Sequence, residues 1–457
     1  MPETKYRSKV FLFLLPALIL TLTSLDSRDA PADDVINLDA IVVTARGYAA
    51  DDIDIPGGIA VATEREINDA ALRGSVADVL DAFPGISRTG ESPYAQDISI
   101  RGLSGSSIVI LVNGKRVFTA TDINARMGFV NPADIERVEV LKGPLSALYG
   151  SGSVGGVVNI ITRKPSGFSE KPEVFGRISL SGGTNPQGVL AYGHLGFNSP
   201  KANLSASFAH RDFKSTRGFD RNPVPNSQYR DVYGKASLGL KPSDNLTLTT
   251  EFIKSVPDGV GIPGGNTAMP DIARIIYPGG GFTMISEDLD LVLDGKNLKR
   301  LQAEFHHTTN KRRVRIDNVG AVPAPQPQPI LLEPKADHET FGGKLSSTWE
   351  FGSNLLVAGA DFWTWKVTSS RRRVVNLGGT DYVSVDHPTP RSDQFSAGVF
   401  VSDTYEAGPK LSFYFGGRVD ALRTKNEDLY FVNPVNLSEK LLFAAQTNDD
   451  LGWQVHL

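Results

Sequence analysis

Cysteine is absent from all 457 residues. That excludes disulfide staples and thiolate chemistry, and it suits an oxidising envelope compartment. A strong net charge is absent too. The 47 basic and 51 acidic side chains leave a formal charge of −4, which offers no bulk electrostatic case for nucleic acid. No stretch beyond the N-terminal region is apolar enough to cross a bilayer as a helix. The apolar run Val10–Leu22 is too short to span, and it follows Lys5, Arg7 and Lys9 as an export signal does. With Ala30-Pro31-Ala32 as a small-residue cleavage site, residues 1–32 read as a signal peptide. No nucleophile–base pair or carboxylate dyad stands out by spacing, so no enzyme is expected. His306 and His307 are neighbours on a strand-like run. Their side chains would point to opposite faces and could not chelate one metal ion, and no cofactor is expected.

What the chain has in quantity is glycine, 45 residues, and β-forming alternation. The stretch Ile135–Pro165 (IERVEVLKGPLSALYGSGSVGGVVNIITRKP) organises the rest. Val138, Val140 and Leu141 predict a strand closed by Gly143-Pro144, and Ser146–Tyr149 can make one helical turn. Glycines follow, and Val157–Thr162 reads as a buried strand. Gly150–Gly155 is a literal G-x-G-x-x-G. A dinucleotide site needs a strand before it and a helix after it, and here the order is reversed. The glycines are therefore read as a turn.

Before this stretch lies a small α/β region. Thr63–Glu66 is a capping box opening a helix to about Leu72, and Ser75–Asp78 opens a second. In the second, Val76, Val79, Leu80 and Phe83 share one face. Asp97–Arg101 and Ile108–Val112 read as strands, and Asn113-Gly114 as a tight hairpin turn. Two loops, Arg88–Gln96 and Phe118–Met127, each mix polar donors, an arginine and an aromatic. That suits a polar ligand and is also ordinary for exposed loops.

From about Val174 the period becomes two. Strands are expected near 174–184, 188–198, 202–213, 229–241, 245–255, 282–293, 298–313, 338–351, 355–369, 392–407 and 410–424. After the first hairpin, short turns alternate with long loops at 214–228, 256–281, 314–337, 370–391 and 425–450. One apolar face, one polar face and this alternation point to an outer-membrane barrel with long outer loops, because a sandwich has no reason to alternate loop lengths. Arg371–Arg373 and Lys311–Arg313 stand where long loops begin, placed for anionic ligands or for the phosphates of the outer leaflet.

Taken together, the EVLKGP strand, the ALYGSGS turn and the GGVVNIIT strand resemble the closing signature of the plug domain of TonB-dependent outer-membrane receptors. The resemblance covers roughly residues 35–165. It implies a small α/β plug domain followed by an antiparallel transmembrane β-barrel in the outer membrane. The implied boundaries are a TonB-box segment at 33–50, a plug at 51–165 and barrel strands at 174–457. Eleven strands are half of the 22 in the larger plugged transporters, so an incomplete barrel is expected, with about 250 residues of it lying beyond this chain.

The resemblance also implies roles. Asp39, Ile41, Val42, Val43, Thr44 and Ala45 match the TonB box, which adds as a strand to TonB of the inner-membrane energy-transducing complex. The two loops would face outward and touch ligand through Arg88, Glu91, Tyr94, Gln96, Phe118, Asp122, Asn124 and Arg126. Arg101 and Lys142 would make plug–barrel contacts. The expected activity is energised import of a scarce, large ligand, a ferric siderophore or else a cobalamin-like nutrient. A passive plugged porin is the remaining alternative.

Overall fold

The computed structural model describes residues 41–42, 50–51, 58–70, 75–89, 96–119, 126–143, 149–150, 152–165, 167–263, 273–318, 329–408, 411–433 and 435–456. The signal-peptide reading, and Asp39, Val43, Thr44 and Ala45 of the box, fall outside them, as does the helical turn expected at Ser146. Ile41–Val42 pairs antiparallel with Ala50–Asp51.

The plug opens with β1 (Gly58–Ala62) and two short helices, α1 (Glu64–Ala70) and α2 (Ala77–Leu80). Both expected helix starts carry side-chain hydrogen bonds. The Thr63 amide donates to Glu66 at 2.8 Å, and the Ala77 amide donates to Ser75 Oγ at 3.0 Å. A small sheet follows, made of β2 (Ile86–Thr89), β3 (Asp97–Ile100) and β4 (Leu103–Ser104). Next come β5 (Ile108–Val112) and β6 (Lys115–Arg116), then β7 (Ile135–Lys142) and β8 (Gly156–Thr162). The main plug sheet has the order β1-β7-β8-β5-β6, with β8 and β5 parallel. All five residues of β5 and all seven of β8 are buried, which accounts for the unbroken apolar run of β5 and the largely apolar β8. Asn113 and Gly114 take φ of 50° and 83°, and Val112 pairs with Lys115, so the NG dipeptide makes the two-residue turn it predicts. At Gly156 (φ 142°) a Cβ would overlap the Leu141 carbonyl, so this residue of the glycine run serves strand packing.

The wall comprises β9 (Glu173–Thr184), β10 (Gln187–Asn198), β11 (Ala202–Phe213), β12 (Tyr229–Ser243), β13 (Leu246–Pro257) and β14 (Gly280–Val292). It continues through β15 (Leu298–Arg313), β16 (Pro329–Phe351), β17 (Asn354–Leu377), β18 (Ser392–Gly408), β19 (Leu411–Asn426) and β20 (Gln446–His456). Each is antiparallel to the next, and no pairing joins β9 to β20 among the described residues. The wall is inside out relative to a soluble sheet. On β11, Leu204 and Phe208 are 52% and 55% exposed, while Ser205, Ser207 and Arg211 on the other face are buried. Apolar side chains outward and polar ones inward are what lipid outside and a polar lumen require.

Two expectations need correction. The wall has twelve long strands on its main path, not eleven. Gln446–His456, whose start lies in the loop expected at 425–450, pairs with β19 from Asn426 to Gly416. Its polar start hides a strand that the neighbour's backbone dictates. The outer segments are also less loop-like than expected. β16 begins at Pro329 and β17 runs to Leu377, and Arg371–Leu377 folds back on Thr380–Asp386. The arginines there are paired inside the protein. Arg371 and Arg373 both hold Asp386, and Arg372 holds Glu333 at 3.0 Å. His306 and His307 do face opposite ways, His307 lying exposed against Glu339 at 3.0 Å.

Candidate functional site: the plug–wall interface

The plug meets the wall through charges it carries on short edges. In one sector, Asp134, fully buried, accepts from Tyr192 Oη at 2.9 Å and Tyr233 Oη at 2.7 Å, on β10 and β12. Asn131 caps the one-turn helix that presents Asp134, its Oδ1 accepting from the Ala133 amide at 3.0 Å. Phe129 stacks on Phe282 of β14 with centroids 4.6 Å apart. Plug and wall share one apolar core here, from Ile67 and Leu80 through Tyr192, Phe213 and Tyr233.

At the tip of the β5–β6 hairpin the chemistry changes. Asn113 Nδ2 donates to Glu251 of β13 at 2.9 Å and to Thr162 at 2.8 Å, and Lys235 donates to Thr162 at 2.6 Å. Lys115 reaches Asp288 of β14 at 2.5 Å and Glu304 of β15 at 3.8 Å. Burial alone would lower the pKa of Lys115. The carboxylates of Glu304 and Asp288 outweigh it and raise it, so the ammonium stays charged. Arg116, next along, is pulled down to about 10 by burial, against the favourable charge of Asp361.

A cavity of about 330 Å³ opens above the hairpin, on the side of the long loops. Phe118 of the plug lies in it, 4.7 Å from Trp363 and stacked at 5.4 Å on Trp365. The Arg116 guanidinium lies 4.8 Å from the Phe118 ring centre and 5.3 Å from that of Trp363. His338 stacks on Trp365 at 5.9 Å. Trp365 Nε1 and both His338 ring nitrogens are buried without a hydrogen-bond partner. The space is thus lined by π faces and a guanidinium.

Of the eight residues expected to touch ligand, Phe118 and Arg126 line this cavity. Arg126 is held by Asp97 and donates to Ile108 O at 2.9 Å and Gly105 O at 3.0 Å. Arg88 and Gln96 lie elsewhere. Arg88 pairs with Asp78 at 2.5 Å, and Gln96 is buried against Ser75. Glu91, Tyr94, Asp122 and Asn124 fall outside the described residues. Arg101 and Lys142 sit side by side on the plug. Lys142 donates to Pro84 O at 2.7 Å, and its pKa is lowered by burial and by Arg101. The plug–wall contacts that sequence reasoning missed are those of Lys115, Asn113 and Asp134. A usable signal was present at the cavity: Asp361, Trp363 and Trp365 alternate, and so share one strand face.

Residues 51–157 match the family described as TonB-dependent Receptor Plug Domain. A segment of 157 residues is 33% identical to the ferric enterobactin receptor PirA of Pseudomonas aeruginosa, covering 31% of this chain and 21% of that protein. Another, of 232 residues, is 30% identical to the vitamin B12 transporter BtuB of Vibrio vulnificus and covers 48% of this chain and 35% of that protein. The chain therefore spans well under half of these curated relatives. In fold it is similar to the copper transporter OprC, with a TM-score of 0.70 at 19% identity, over 87% of this chain and 60% of that one.

Proposed function

Given a TonB-dependent receptor plug domain seated against an outer-membrane barrel wall, we propose that this chain serves TonB-driven import of a ferric siderophore whose iron-binding groups are aromatic and acidic. The observation that carries the ligand is the cavity at Phe118, Trp363 and Trp365, with the Arg116 guanidinium beside the Phe118 and Trp363 rings. Catecholate rings can stack on these faces, and their negative charge is matched by the guanidinium. A corrinoid is larger and carries an amide periphery, which this small aromatic and cationic cleft matches less well. Similarity to both siderophore and vitamin B12 receptors supports import of a large nutrient and leaves the ligand to the cavity.

Energy would enter at Asp39–Ala45. Ile41–Val42 already forms a two-residue ladder with Ala50–Asp51, so its backbone has strand geometry that a partner strand can take over. The test separates binding from uptake. Trp365→Ala should weaken binding of a radiolabelled ferric catecholate and leave a ferric hydroxamate unaffected. Val43→Pro should abolish uptake while binding persists, because proline removes a strand donor. Equal competition by cyanocobalamin would overturn the ligand assignment.

A further inference from the structure

We propose that the inward route of the ligand follows one seam between the plug and the wall, and that the β5–β6 hairpin tip, Asn113–Arg116, is its gate. This rests on the import reading above. Three cavities lie in series along the seam. The outer one, about 330 Å³, shares Arg116 and Trp363 with a constriction of about 70 Å³. The constriction shares Gly114, Tyr149, Glu304 and Lys344 with an inner cavity of about 380 Å³, which reaches Thr247 and Asp290 near the short turns. Among the described residues, the hairpin, Tyr149 and side chains on β15, β16 and β17 narrow this path.

The hairpin also ends in the shortest strand of the plug's main sheet. β6 has two residues, lies at the edge of its sheet, and pairs with β5 only at Leu111–Arg116 and Val112–Lys115. By contrast, β7 and β8 are paired along seven register positions in the middle of the sheet. The wall contact of the hairpin is polar and partly wetted. Lys115 is 4% exposed, but its partners Asp288 and Glu304 are 23% and 32% exposed, so water replaces each as the tip withdraws. The Asp134 sector has no such relief, since its tyrosines and carboxylate are sealed in apolar packing. Withdrawal of the tip joins the three cavities and leaves Lys344 of the wall lining the passage, a cation suited to an anionic chelate.

These 457 residues contain no cysteine, so the pairs introduced here meet no other thiol within them. In the intact receptor in its outer membrane, Lys115→Cys with Asp288→Cys is bridged by a short, reducible thiol cross-linker. The control pair is Glu64→Cys with Arg177→Cys, which joins helix α1 to β9 across an exposed ion pair of 2.8 Å in the Asp134 sector. The expected result is loss of ferric catecholate uptake in the seam-linked receptor, with surface binding retained and uptake restored by reduction. The control link should leave uptake in place. Unchanged uptake in the seam-linked receptor overturns the route, as does an equal loss with the control link. If the unlinked variants bind and import no ferric catecholate, the import reading fails. The route is then decided by receptor-dependent entry of a small hydrophilic antibiotic, which the seam link must suppress and the control link must not.

Discussion

Asp134 and Lys115 belong to the same plug, and each meets the wall with a charge, but the two contacts are built differently. Asp134 is fully enclosed, with two tyrosine hydroxyls as its donors and aromatic packing around it. Lys115 is enclosed itself but faces carboxylates that border an open cavity. A buried polar group without water within reach is anchored, because breaking its bonds costs the full desolvation of every partner. A group whose partners can rehydrate is a latch. The difference teaches that a plug can be held firmly on one sector and opened on another without unfolding its central sheet.

The largest effect expected of a substitution in this comparison is that of Asp134→Ala. It strands two buried hydroxyls at about 1–3 kcal/mol each, and it should lower the melting temperature of the receptor in detergent. If Lys115→Met melts the protein more, the anchor and the latch have been assigned the wrong way round. Next is Phe208→Arg on the lipid-facing side of β11, expected to cost about 2–4 kcal/mol near the bilayer midplane in a denaturant titration from bilayers. A neutral result would contradict the inside-out reading of the wall. Lys115→Met should lie below both, between the ~0–1 kcal/mol of an exposed pair and the ~3–5 kcal/mol of a sealed one. Its clearer signature is increased sensitivity of cells to small hydrophilic antibiotics.

The smallest effect concerns Glu64, which pairs with Arg163 and Arg177 at 2.8 Å each. Burial alone would raise its pKa, but the two arginines outweigh burial and hold it below the ordinary value. A depressed carboxyl pKa adds stability that is present above the unfolded value of about 4.3 and is lost as pH falls through the folded value. The pair is half exposed, so Glu64→Gln should remove at most about 1 kcal/mol at pH 7 and nothing once both forms are protonated. A pH series of melting curves for the two proteins measures it.

Much of this was legible in the chain because it is written in local rules. The Thr63 and Ser75 caps, the Asn113-Gly114 turn and the period-two alternation of Leu204 and Phe208 against Ser205 and Ser207 each follow from steric or solvation preferences of neighbouring residues. The start of β20 was not legible, because Gln446–Asp450 is polar and becomes strand only by pairing with β19. Arg88 and Gln96 show the same limit at the site. Nothing in their loop composition signalled the plug partners Asp78 and Ser75, 10 and 21 residues away, that hold them.

The sequence by itself determined the class of protein: a small α/β unit with a recognisable closing signature, then amphipathic strands whose turns alternate in length. Those features depend on spacings of a few residues, where backbone geometry and the lipid or lumen face leave little choice. Only the tertiary structure decided which charges of the plug meet which strand of the wall. Lys115 and Asp288 are 173 residues apart in the chain, and no periodicity links them. It also decided where the plug is sealed and where cavities remain, because packing density depends on how two surfaces built from distant segments fit together.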